Sequence, residues 1–180
     1  MVFYHVVTDR PMEVGQKIVF DENNRSGVWR RVMEKLPAVE AIYADPDDHD
    51  ADTLEHHTSV ALRELALEEV RLAEHPELPS RLGCLYASKT LAEAEEWGKF
   101  FARIGRPTYS IVKLEVKGSC FVGDATRCFR GQTHKEENLR LARHYWSSEA
   151  DPADPTAVPE MLISGELTVL EIVREINANI

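Results

Sequence analysis

Three polar side chains stand inside stretches whose neighbours are apolar: His5 in VFYHVVT, Tyr86 in CLYAS and Glu160 in PEMLISGEL. An imidazole can take or give a proton near neutral pH, a phenol ring can stack on a flat ligand, and a carboxylate can stabilise a neighbouring cation. Each also has a purely structural reading: a satisfied core histidine, a core aromatic with a bonded hydroxyl, and a solvated residue at a strand start. A second group, Asp47, Asp48, His49, Asp50, Asp52, Glu55, His56 and His57, contains residue types that suit zinc, nickel or manganese. Its spacing fits no closed ligand set, so the segment reads as a solvated acidic loop and no metal site is expected. Cys84, Cys120 and Cys128 are odd in number and form no CxxC pair, the pattern of free thiols in a reducing compartment. Trp97, Phe100 and Phe101 lie at helical spacing beside Leu91 and Ala94, which points to core packing rather than to a base-stacking platform. Arg127, Arg130, Arg140 and Arg143 form the one basic stretch, read as exposed helix charge or as a surface facing an anionic ligand.

Strong enzyme signatures are missing: the chain has no P-loop, no GxGxxG after a strand, no HExxH and no GxSxG. Size and composition bound the rest. With 180 residues, 43% of them hydrophobic, the chain can bury the core of one domain, which excludes disorder and small stapled scaffolds. No apolar run approaches the length of a membrane span, and Met1 to Gln16 lacks a signal-peptide pattern, so a soluble cytoplasmic protein without a membrane partner is expected. The formal charge of -10 disfavours general binding to nucleic acid or anionic membrane. That charge is uneven: residues 34–79 hold 13 acidic and 3 basic side chains, whereas residues 80–149 hold 8 acidic and 12 basic.

The elements that must position the three polar residues follow from periodicity. Val2 to Val7 reads as a buried strand ending in the turn TDRP, and Ile18 to Phe20 as a second extended piece. Trp29 to Glu40 carries a weak helical pattern. A long helix is expected after the acidic loop, capped by Thr53, with Leu54, Ala61, Leu65 and Leu72 on one face and Pro76 ending it. Leu82 to Ser88 reads as a strand, followed by a Thr90–Glu93 capping box and a helix through Leu91, Ala94, Gly98 and Phe101. Tyr109 to Lys117 alternates as a half-buried strand, with Cys120 to Val122 as a separate apolar piece. A helix through Leu139, Ala142 and Trp146 comes next. A final strand pair, Glu160 to Ile163 and Leu167 to Ile176, is joined through Ser164 and Gly165. About six strands and three helices, in no strict βαβ order, give an α+β fold with a mixed or mostly antiparallel sheet in a single domain.

The segments YHVVT, LYASKTLAEAEEWG, YSIVKLEVKGSCFVGD and PEMLISGELTVLEI, in that order, resemble ADP-ribosyltransferases of the His-Tyr-acid type. They are most similar to the small bacterial rifampin ADP-ribosyltransferases, and also look like an uncharacterised bacterial family. The resemblance covers most of the chain except roughly residues 34–79, which it leaves as an acidic helical insertion. It implies a split, ADP-ribosyltransferase-like β-sheet that binds NAD as substrate. ADP-ribose would pass to a protein, nucleic-acid or small-molecule acceptor, or to water. It further implies that His5 orients a ribose hydroxyl of NAD, that Tyr86 stacks on the nicotinamide, and that Glu160 is the catalytic acid, with Asp124 in FVGD its rival. Arg81, as a forked donor to a cofactor phosphate, and Thr8 and Ser88 complete the expected NAD contacts. The chain departs from the family where Val6 and Val7, rather than small residues, follow the histidine. These side chains are expected to narrow the nicotinamide pocket, which keeps open a binding module on the same fold without turnover.

Overall fold

The structure is a computed structural model and describes residues 1–176. It is α+β, and every strand pairing is antiparallel. The strands are β1 (Val2–Thr8), β2 (Lys17–Val19), β3 (Leu85–Ala87), β4 (Thr108–Asp124) and β5 (Pro159–Glu175). The α-helices are α1 (Gly27–Met33), α2 (Leu36–Ala44), α3 (His56–Glu74), α4 (Leu91–Arg103) and α5 (Lys135–Trp146). Among the described residues five α-helices thus replace the expected three. The extra ones arise because Pro37, at the start of α2, divides the weak pattern around Trp29 into two short helices. No helix among the described residues is long and apolar enough to cross a membrane.

β4 and β5 form the frame, paired from Ser110↔Glu175 to Asp124↔Pro159. Each runs continuously where the sequence suggests two pieces, and the reason is a facing pair of glycines, Gly118↔Gly165. Gly165 has φ +107°, which side chains rarely adopt, and a Cβ on Gly118 would meet the Ser164 carbonyl oxygen at 2.0 Å. The glycine pair therefore lies inside the strands rather than between them. On either side of Gly165, one edge of β5 carries β3 on Met161–Ile163 and β2 on Glu166–Thr168. β1 adds to the outer edge of β4, and Tyr4 and Ser88 then exchange two backbone hydrogen bonds of 3.0 and 2.8 Å. The pairing β1–β4–β5–β3 thereby curls back on itself, and side chains of all four strands meet in one cluster that includes Val7, Ala87, Leu114 and Ile163. Among the described residues the β1–β3 seam has this one backbone bridge.

Helices cover the outside. α3 and α5 pack on Phe121, Cys84 and Leu162 through Leu67, Val70, Ala142, Tyr145 and Trp146, while α4 packs Ala94 against Val6 and Ile111. The acidic segment is thus bound into the core by α3. That helix is capped by Glu55, whose carboxylate accepts from the His57 and Thr58 N–H groups at 3.0 and 2.9 Å; Thr53 lies instead in a short 3-10 turn. Its buried face also differs from the expected one. Leu54 lies before the helix, Leu72 is 60% exposed, and Glu64 and Arg71 are buried. The Thr90–Glu93 capping box of α4 forms as read.

Candidate functional site

The site lies at the β1–β3 seam. Beside the one backbone bridge lies a cleft of about 260 Å³, lined also by residues of β5 and α4. His5, Thr8, Tyr86, Ser88 and Glu160 all line it, so five residues expected to contact NAD from three separate strand regions are brought together. Val6, Trp97, Phe101 and Met161 supply apolar wall, and Arg106 stands at the rim, its guanidinium 5.0 Å from the Phe101 ring centre.

His5 Nδ1 lies 2.6 Å from the Tyr86 carbonyl oxygen. A carbonyl only accepts, so Nδ1 carries the proton and, in the neutral ring, Nε2 is left as an acceptor. Burial lowers the imidazole pKa below its usual value; the bond to Tyr86 opposes this and the charge of Arg106 adds to it. The ring is therefore neutral at physiological pH, and Nε2 is suited to accept a hydrogen bond from a hydroxyl. Tyr86 remains 44% exposed, a large aromatic face open to a ligand. Its hydroxyl stays protonated, because desolvation raises the phenol pKa against the field of Arg81.

Glu160 enters the site as the second residue of β5, opposite Gly123. Arg81 Nη1 and the Tyr145 hydroxyl both donate to its Oε1, the latter at 2.6 Å, and Oε2 has no partner among the described residues. The carboxylate is thus fixed through one oxygen and free at the other. Gly123 makes this possible, since a Cβ there would lie 2.6 Å from the Tyr145 hydroxyl. Behind Glu160, Arg81 is 6% exposed and all its donors are engaged. Nε and Nη2 fork onto Glu64 at 2.9 and 3.2 Å, Nη1 also reaches Tyr145 at 2.8 Å, and Nη2 lies 3.8 Å from Cys128 Sγ. Burial works to raise the Glu64 pKa, but Arg81 and then Arg63 outweigh it and hold the carboxyl below its usual range. Burial likewise opposes charge on Arg81, and Glu64 above all restores it.

Two expected roles change. Arg81 is not free to hold a cofactor phosphate, because its guanidinium is saturated by Glu64, Glu160 and Tyr145. Asp124 does not line the cleft; its Oδ1 accepts from Thr126 N and Oγ1 and from Val158 N, pinning the turn before β5. Val7 is fully buried in the sheet cluster, so only Val6 borders the cleft. The arginines of the basic stretch are occupied elsewhere: Arg127 by Ser148, Arg130 by Asp52, Arg140 by Glu137 and Arg143 by Glu74. The three cysteines are free, and burial pushes the Cys84 thiol up to about 12. Glu64, Tyr145, Trp97 and Arg106 are site residues that sequence reasoning did not assign. Glu64 alone left a sequence signal, an acid on the face of α3 between Ala61 and Leu67.

The depressed His5 pKa has a measurable consequence. The unfolded chain takes up the proton near pH 6.5 and the folded chain only at lower pH, so His5 costs no stability above pH 6.5 and destabilises the fold as pH falls from there through the folded pKa. Thermal midpoints recorded from pH 7.5 to 5 are expected to fall more steeply for the native protein than for His5→Asn; parallel curves would count against a buried neutral imidazole.

No curated protein matches this chain. A family model does, over residues 3–175, and its description is "Protein of unknown function (DUF2441)". That span includes both long strands, all five helices and every residue of the cleft, and the chain belongs to this family.

Proposed function

We propose that the β1–β3 cleft binds NAD and that the protein transfers ADP-ribose to an acceptor, which is a protein, a nucleic acid, a small molecule or water. The observation that carries this reading is the convergence of three complementary groups on one cleft: the acceptor Nε2 of His5, the exposed ring of Tyr86 and the free Oε2 of Glu160. In the reaction, the bond between the ribose C1′ and the nicotinamide nitrogen breaks, its electron pair leaves with the ring, and the pyridinium is neutralised. The sugar gains positive charge as this happens. A carboxylate fixed beside it stabilises that charge more than the ground state, which lowers the barrier. Nε2 of His5 orients the ribose by accepting a hydrogen bond from one of its hydroxyls, and Tyr86 holds the departing ring. The acceptor then attacks C1′ and releases its proton to water. A cleft of about 260 Å³ lies just below the usual range of roughly 300–1,000 Å³ for small-molecule sites, so it encloses the reacting end and leaves the adenosine end outside.

A second reading, an inactive nucleotide-binding module, is favoured by Val6 in the cleft wall, where the resembling enzymes carry a small residue. Calorimetric titration with NAD tests the binding that both readings share. Tyr86→Ala is expected to weaken NAD by about 10- to 100-fold through lost stacking, and Tyr86→Phe to keep affinity within a few-fold. Equal affinity for all three proteins, or no saturable binding, contradicts the site.

A further inference from the structure

Tyr86 borders a second cleft of about 240 Å³ on its other side, walled by α1 and the first turns of α3. Three guanidiniums, those of Arg31, Arg63 and Arg81, line it against the single carboxylate of Glu64. That carboxylate is already taken: Arg81 holds both its oxygens, and Arg63 Nη2 reaches Oε1 at 2.9 Å. Arg63 uses only Nε and Nη2, and Arg31 has no acidic partner among the described residues. His56 and His57 sit beside them with ring centres 5.2 Å apart. The nearby Glu55 is turned onto its own helix, accepting from His57 and Thr58 N–H, and is paired with Lys35 at 3.1 Å. A chain of net charge -10 thus keeps uncompensated guanidinium donors in a concave site.

We infer that this second cleft binds a phosphoryl group, with Arg31 and Arg63 as forked donors from two helices and His56 and His57 beside them. A planar guanidinium matches two phosphate oxygens at once, and two such groups arriving from different elements suit a tetrahedral anion. The donors come from residues 31–63, away from His5 and Glu160, so the inference stands independently of NAD chemistry in the first cleft. The phosphoryl group has two sources: the diphosphate of NAD reaching past Tyr86, or a phosphate on a second substrate.

Inorganic pyrophosphate titrated into the full-length protein, alone and with excess NAD, tests it. Saturable binding that weakens with added salt is expected, and Arg31→Gln is expected to weaken it about tenfold. Lys99→Gln, which removes the same charge from the far helix α4, is expected to leave it unchanged. Displacement of pyrophosphate by NAD assigns the cleft to the dinucleotide; simultaneous binding assigns it to a second substrate. Pyrophosphate binding without any NAD binding removes the reading of the first cleft and leaves this one standing. No saturation at millimolar pyrophosphate, or equal losses for Arg31→Gln and Lys99→Gln, overturns it.

Discussion

Glu160→Gln is expected to slow nicotinamide release from NAD by about 10²- to 10³-fold while NAD affinity changes by only a few-fold. The substitution keeps the shape of the side chain and an oxygen that accepts from Arg81 and Tyr145, so the geometry at Oε1 survives. What it removes is the negative charge on the free side of the group, the one feature that acts on a cationic sugar and not on its ground state. Chromatographic quantification of nicotinamide, with calorimetry for affinity, separates the two effects. Asp124→Asn provides the contrast. Its carboxylate serves Thr126 and Val158 outside the cleft, so stability is expected to fall and the release rate to stay. Equal rates for native protein and Glu160→Gln would place the chemistry elsewhere.

Arg81→Met is expected to destabilise the protein by about 3–5 kcal/mol, seen as a fall in the thermal midpoint of roughly 10 °C. Glu64 is 3% exposed and Glu160 has a 13% exposed side chain, so removing the cation between them leaves Glu64 Oε2 without a donor, Glu64 Oε1 with Arg63 alone and Glu160 with the Tyr145 hydroxyl alone. Burying unpaired charge is far costlier than forming the pair is favourable. Arg81→Lys keeps the charge but lacks the fork onto Glu64, and an intermediate loss is expected. The double variant Arg81→Met/Glu64→Leu removes one orphaned carboxylate and is expected to recover part of the stability, a coupling that single contacts acting independently cannot give. A midpoint within a degree or two of native for Arg81→Met contradicts the network.

Local signals were readable in the chain and distant ones were not. The alternation through Val112, Leu114 and Val116, the capping box at Thr90 and the apolar context of His5 each depend on a few neighbouring residues, and each appears in the structure. The antiparallel α+β class follows from such pieces. Ser164–Gly165 reads as a turn for the same local reason, but ladder pairing with Ser119 and Gly118 on β4 keeps it inside one continuous strand. The convergence of His5, Tyr86 and Glu160 needs the curled sheet, and no spacing along the chain encodes that. Arg81 carries a forked donor legible in the sequence, yet its partners Glu64, Tyr145 and Glu160 lie 17, 64 and 79 residues away, so no local spacing assigns them. The segment around α3, which the sequence marks as acidic, carries Glu64, the counter-ion of Arg81.

The most direct measurement is incubation of the native protein with NAD, following free nicotinamide by chromatography against a protein-free blank, with calorimetric titration of NAD in parallel. The expected result is time-dependent nicotinamide release above the blank together with saturable NAD binding. Saturable binding with no release points to the inactive module, and the absence of both contradicts an NAD site at the β1–β3 cleft.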